Sequence, residues 1–252
     1  MRRARVIPCL LIQGNGLVKT RKFKDPVYVG DPVNAMRIFS DKEADEIVVL
    51  DIDASRKGAE PNYELIAEMA GEAFMPMAYG GGVTCLEQVR RLIRCGIEKI
   101  VINSASVHSL EWVREAVEIY GSQAIVGAVD VKKTLLGGYR VVTCSATKDA
   151  SVELNQHITN LVTAGVGEIF INSVDRDGLM SGYDLQLIQR ATKDVNVPIV
   201  ACGGAGTIEH LIEGVGNGAS AVAAGSMFVF HGKHRAVLIS YLSSSELGRV
   251  KC

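Results

Sequence analysis

The chain has 252 residues, 48% of them hydrophobic and 22% charged, a composition that buries a large core and excludes wholesale disorder. Lys and Arg number 27 against 28 Asp and Glu, a net charge of −1, which excludes a surface dominated by nucleic-acid or anionic-membrane binding, since both need a clustered positive excess. No apolar run approaches the roughly 20 residues of a membrane helix, and Val6–Ile12 is too short for a secretory signal core, so a cytoplasmic protein is expected.

Short runs rich in Val, Ile and Ala alternate with amphipathic segments along the whole chain. Strands are predicted to begin near Arg5, Glu46, Met75, Lys99, Ile125, Glu168, Ile199 and Ala221. Helical spacing covers Tyr63–Ala73, Leu86–Cys95, Leu110–Tyr120, Leu154–Ala164, Leu185–Val195 and Arg235–Leu242. Eight βα units in this length predict an α/β fold, a single-domain (β/α)8 barrel of the TIM type over 1–252. A doubly wound sheet is the other arrangement the alternation allows.

An internal repeat favours the barrel. Glu46-Ile47 recurs as Glu168-Ile169, Pro76 as Pro198, Gly81-Gly82 as Gly203-Gly204 and Gly96 as Gly218, each 122 residues on. Two half-barrels, approximately 1–122 and 123–252, are expected. The Gly14–Gly16 and Gly137-Gly138 insertions fall after strands 1 and 5, at matching places of the two halves, and read as loops of the active face.

The six cysteines, Cys9, Cys85, Cys95, Cys144, Cys202 and Cys252, include no CxxC pair and read as reduced, mostly buried thiols. His231 and His234, three apart near the start of the last predicted helix, read as capping or surface residues. Neither a metal nor a cofactor is expected.

Candidate chemistry gathers at strand ends. Strand 3 ends in Tyr79-Gly80-Gly81-Gly82 and strand 7 in Cys202-Gly203-Gly204-Ala205-Gly206. Without Cβ atoms, backbone N–H groups there can approach an anion closely. Asn103-Ser104 after strand 4 and Gly225-Ser226 after strand 8 are placed to complete two such cradles. A tight turn explains either glycine run alone, whereas two at matching places point to a bisphosphorylated ligand spanning the mouth.

Between the cradles stand carboxylates: Asp51 and Asp53 closing strand 2, Asp130 closing strand 5, and Asp175 with Asp177 after strand 6. Asp130 ends an otherwise apolar strand and is the leading acid/base candidate. Loop capping or a salt bridge competes with a substrate contact for Asp51 and Asp177, and Lys19 either clamps an anion or sits in solvent. At the opposite end four strands open with a charge, Arg5, Glu46, Lys99 and Glu168, which can close the axis as a ring of ion pairs for stability alone.

These residues carry a resemblance. Essentially the whole chain is similar to the cyclase subunit of imidazole glycerol phosphate synthase, through Val6–Leu10, Gly30-Asp31-Pro32, Leu50-Asp51-Ile52, Gly80–Gly82, Ile102-Asn103-Ser104, Gly121-Ser122-Gln123, Asp175-Arg176-Asp177-Gly178, Gly182-Tyr183-Asp184 and Gly203-Gly204-Ala205-Gly206. The resemblance implies a two-fold barrel that docks a glutaminase subunit on its lower face. Ammonia then passes up the axis to a bisphosphorylated ribulosyl substrate, giving imidazole glycerol phosphate and an aminoimidazole carboxamide ribotide. It implies that Arg5, Glu46, Lys99 and Glu168 are the ammonia gate, with Glu98 at the partner interface.

The likeness breaks at one position. The family uses one aspartate closing strand 1 and another closing strand 5; Asp130 matches the second, but Leu11 stands at the first. A hydrocarbon moves no proton, and losing one positioned acid or base costs about 10²–10⁴ in rate. Leu11, with Leu17-Val18-Lys19-Thr20 and Lys22-Phe23-Lys24, resembles a paralogous branch found near bacterial surface-polysaccharide genes. Members of that branch partner a glutaminase and an amidotransferase-like ligase that builds acetamidino groups on sugars. The expectation is a barrel subunit receiving ammonia for amidination. A genuine histidine-pathway cyclase and a non-catalytic glutaminase-docking module are the alternatives, and the related sugar-isomerase barrel is disfavoured because it needs both aspartates.

Overall fold

A computed structural model describes residues 3–251. Eight short apolar runs form the strands β1 (Arg5–Gln13), β2 (Ile47–Asp51), β3 (Met77–Gly80), β4 (Lys99–Ile102), β5 (Ile125–Lys133), β6 (Glu168–Ser173), β7 (Ile199–Cys202) and β8 (Ala221–Ala224). Each pairs in parallel with the next, and β8 closes on β1 with Arg5 opposite Ala221 and Pro8 opposite Ala224. Parallel strands buried on both faces need apolar side chains at nearly every position, which is why these runs are continuous. The result is a closed (β/α)8 barrel, and the open doubly wound sheet is excluded.

Helices Pro32–Asp41, Tyr63–Gly71, Leu86–Arg94, Glu111–Tyr120, Leu154–Thr163, Leu185–Thr192 and Ile208–Gly216 follow β1 to β7. Their starts are set by side chains that satisfy free N–H groups. Asp31 Oδ1 accepts from the Asn34 N–H at 2.7 Å with Pro32 in the first turn, and Asn62, Asp184 and Thr207 cap their own helices likewise. Among the described residues no helix is long and apolar enough to cross a membrane.

Three expectations need correction. Arg235–Leu242 is not a helix: Ala236–Val237 pairs antiparallel with Phe230–His231, Arg235 has φ +52°, and the N–H groups of Leu238 and Ser240 bond back to Val229 and Phe228. Its Val, Ile and Tyr content suits extended chain better than helix. His231 and His234 are both exposed on that hairpin. Among the cysteines only Cys9 and Cys202 are buried; Cys85 is exposed because it precedes a helix as its N-cap, Cys95 and Cys144 are half-buried, and Cys252 lies outside the described residues. Finally, β2 ends at Asp51, and Asp53 lies beyond it, paired with Lys57 at 2.6 Å.

Side chains alternate along a strand, so every second residue points into the barrel. From the lower, N-terminal end upward, β1 sends in Arg5, Ile7, Cys9 and Leu11, β4 sends in Lys99 and Val101, and β6 sends in Glu168, Phe170 and Asn172. Ile7, Val48, Val101, Val126, Phe170 and Val200 form the apolar middle of this inner core, and the outward residues pack against the helices. Several backbone contacts recur 122 residues apart. The Ile47 and Ile169 N–H groups each bond at 2.9 Å to the carbonyl of Pro76 and Pro198, and the Gly96 and Gly218 N–H groups each bond at 3.0 Å three residues back.

One buried group makes the fold acid-sensitive. His157, on Leu154–Thr163, is buried, its Nε2 has no partner among the described residues, and burial pushes its pKa down. Below the ordinary histidine range, about 6.5, the unfolded chain binds a proton that the folded chain refuses, so stability falls with pH. Urea unfolding of His157→Leu is expected to show less loss of stability between pH 7 and 5 than the parent chain.

Candidate functional site

The lower end of the barrel is closed by charge. Arg5 bonds to both Glu46 and Glu168, and Lys99 Nζ lies 2.8 Å from Glu46 Oε1 and 3.2 Å from Glu168 Oε2. Each cation therefore touches both carboxylates, and the four predicted residues form one closed, neutral ring beneath the apolar middle. Glu98, next to Lys99 in the chain, is exposed, and Phe74 is 88% accessible just before β3.

At the upper end one cavity collects almost every residue singled out in the sequence. Lys19, Asp51, Gly81, Asn103, Ser104, Asp130, Asp177, Gly203, Gly204, Gly225 and Ser226 all line it. Gly82 does not line it; its N–H faces the Oγ of Ser55, which does, at 3.4 Å. Gly81 and Gly203 hold matching places with φ +123° and +91°, and a Cβ on either would come within 2.6 Å of the carbonyl of Asp51 or Ser173. The glycines are thus needed for close backbone approach.

Two hairpins fold over the mouth, and each is tied to the opposite half. Gly16–Arg21 pairs antiparallel with the top of β1, where Leu11 faces Val18. From it Thr20 Oγ1 donates to Asp177 Oδ2 at 2.6 Å, and the Phe23 N–H bonds to the same oxygen. Tyr139–Thr143 pairs with the top of β5 in the same way. The Cys144 N–H bonds to Ser104 Oγ at 3.0 Å, and Ser145 Oγ donates to the Ile52 carbonyl at 2.6 Å.

Lys19 is not in solvent. It is buried with Nζ 2.5 Å from the Cys9 carbonyl, beneath Gly225, and burial lowers its pKa. Cys9 and Cys202 are buried together in this wall, and the Cys202 thiol beside it lowers the pKa of Cys9. Leu11 projects into the same cavity, 8% exposed and bonded to nothing polar.

The carboxylates differ in environment. Asp130 is held on both oxygens, Oδ2 accepting from Asn103 Nδ2 at 2.7 Å and Oδ1 from Asn172 Nδ2 at 3.2 Å. Burial outweighs these bonds and pushes its pKa up to about 7, the range in which a carboxyl both gives and takes protons. Burial also raises Asp177, against its bonds from Thr20 and Phe23. Asp51 is raised by burial too, yet its Oδ1 caps the N–H groups of Asp53 and Ala54 at 2.9 and 3.0 Å, the loop role weighed for it. Asp175 turns to the Lys133 N–H at 2.7 Å.

Asn172 and Ser145 stand at the site without belonging to any sequence motif, and Thr20 stood only within Leu17-Val18-Lys19-Thr20, with no role assigned to it. For Asn172 a signal existed: strand alternation puts it on the inward row that begins at Glu168.

Ring, apolar middle and acid-bearing mouth define a (β/α)8-barrel protein whose candidate site lies at the C-terminal ends of its strands, the face on which such barrels place theirs. Residues 5–235 match the sequence model of the histidine biosynthesis protein family. The chain is 53% identical, over 98% of its length and 99% of the relative's, to a Pseudomonas aeruginosa protein provisionally named imidazole glycerol phosphate synthase subunit hisF2. It is 46% identical to one from Vibrio vulnificus provisionally named subunit hisF3, over 98% and 95% of the two chains. With the Thermobifida fusca imidazole glycerol phosphate synthase subunit HisF it shares 39% over 90% of both. The chain belongs to the histidine biosynthesis protein family, among its HisF-like members.

Two outcomes test these electrostatics. Glu168→Gln leaves Arg5 and Lys99 with one carboxylate between them; with Arg5 about a third exposed, the loss in urea unfolding is expected on the order of 1–3 kcal/mol, below that of a fully buried pair. For Asp130 the folded pKa, about 7, lies above the ordinary value near 3.9, so the folded chain holds a proton that the unfolded chain releases, and stability falls as pH rises between them. Asp130→Asn is expected to gain on the parent chain as pH rises from 4 to 8, measured by unfolding at each pH.

Proposed function

We propose that the protein is the HisF-like barrel subunit of a glutamine amidotransferase complex, taking ammonia from a separate glutaminase at its lower face and delivering it to a phosphorylated acceptor at the upper mouth. The observation that carries this reading is the common axis: four paired charges at one end, Asp130 with its raised carboxyl at the other, and neutral side chains between. Arg5, Glu46, Lys99 and Glu168 act as the gate for a small neutral nucleophile. Glu98 and the exposed Phe74 offer a charged and an apolar contact to the docked glutaminase. The repeat at 122 residues supports two half-barrels of common origin, approximately 1–122 and 123–252, each giving one phosphate cradle: Gly81 with Asn103 and Ser104, and Gly203 and Gly204 with Gly225 and Ser226. Lys19 and Asp177 contact the acceptor between them, and Asp51 holds the loop.

Leu11 decides which member of the family this is. Where the family's second acid/base group is expected, the mouth has a hydrocarbon, and the reading is a paralogue that supplies ammonia for acetamidino-sugar synthesis with an amidotransferase-like ligase in bacterial surface-polysaccharide assembly. A second reading, the genuine cyclase of histidine biosynthesis in the cytoplasm, is favoured by Asp177, a second raised carboxyl in the same cavity able to serve in Leu11's stead.

Mixing the protein with a glutaminase of the family and the bisphosphorylated ribulosyl substrate separates the two. The expected result is glutaminase stimulation with imidazole glycerol phosphate formed about 10²–10⁴ more slowly than by ordinary members, and a gain in that rate with Leu11→Asp. Turnover at the ordinary level that Asp130→Asn abolishes contradicts the paralogue reading and establishes the histidine-pathway one.

A further inference from the structure

The Gly203 side of the mouth holds one buried polar atom with nothing to bond. Asn172 is 6% exposed, and its carbonyl Oδ1 has no hydrogen-bond partner among the described residues. That oxygen lies against the cradle: a Cβ on Gly203 would sit 2.8 Å from it. Asn172, Gly203 and Asp130 line the same cavity.

The orientation of this amide is dictated by its neighbour. Asn172 turns Nδ2 toward Asp130 Oδ1 at 3.2 Å, and this leaves its own Oδ1 facing the cradle. Asn103 Nδ2 donates to the other carboxylate oxygen at 2.7 Å, so both oxygens of Asp130 already have an amide donor. Buried acceptors are nearly always paired, and an unpaired one at the wall of a polar cavity calls for a donor from whatever fills it.

We infer that Asn172 reads the ligand: its nitrogen positions Asp130, while its carbonyl oxygen accepts a hydrogen bond from a hydroxyl or N–H carried next to the phosphate that Gly203 and Gly204 hold. The ligand class is a phosphate ester of a polyol or amino alcohol, and a bare alkyl phosphate lacks the group that is read. This rests on the proposed cradle at Gly203.

Calorimetric titration of the full chain tests it with three probes: inorganic phosphate, glycerol 3-phosphate and propyl phosphate. The parent chain is expected to bind glycerol 3-phosphate about tenfold more tightly than propyl phosphate, the scale of one neutral hydrogen bond. Asn172→Leu is expected to erase that preference while inorganic phosphate binds as before. Asn172→Asp, nearly isosteric and suited to folding if the leucine variant does not, keeps an acceptor and so keeps the preference. It also sets a second carboxyl against Asp130, whose titration, followed by carbon NMR, should move upward. Equal binding of the two esters by the parent chain overturns the inference, as does a preference that survives Asn172→Leu or is lost in Asn172→Asp, or an unmoved Asp130. Failure of inorganic phosphate to bind the parent chain overturns the cradle itself, and the inference with it.

Discussion

Strand alternation ties the two ends of this barrel together. The row that begins with Arg5 ends with Leu11, the row that begins with Glu168 ends with Asn172, and the row that begins with Lys99 leads up to Asn103. A slip of one residue in any strand would turn its charged foot and its polar tip outward together. The ring below and the mouth above are therefore one register, held by parallel pairing that closes on itself from β8 to β1. The apolar middle, with Phe170 and the valines around it, keeps that register because a slipped row would expose it.

The mouth has its own logic. Local structure explains where the glycines and carboxylates sit, but the ties that shape the cavity run between halves of the chain: Thr20 to Asp177, Cys144 to Ser104 and Ser145 to Ile52. They bring the two hairpins down on opposite sides and withdraw the groups beneath from water. Burial then pushes Asp51, Asp130 and Asp177 up and Lys19 down, each against the partners that favour its charged form.

Much of this was legible beforehand, for identifiable reasons. Strand starts fall within two residues of the positions expected from Val and Ile runs bounded by charges, because a closed parallel sheet forces that pattern. Asp130 stood out because it ends an otherwise apolar strand across the mouth from the two glycine runs. Lys19 did not declare its burial, since nothing in Leu17-Val18-Lys19-Thr20 says that the hairpin folds back onto Cys9. The ties across the mouth join residues up to 157 apart and leave no local trace. Arg235–Leu242 has helical spacing, yet Arg235 adopts a left-handed conformation and Ala236–Val237 finds a strand partner, so tertiary pairing overrode the period.

On the proposed function, both glycine cradles face one cavity and hold one ligand at its two ends. Phosphorus NMR of the protein titrated with the bisphosphorylated ribulosyl substrate addresses this directly. The account predicts two bound phosphate resonances, both shifted from the free ligand and both saturating at one equivalent. One shifted resonance beside an unshifted one, or two that saturate at different ligand ratios, would contradict it.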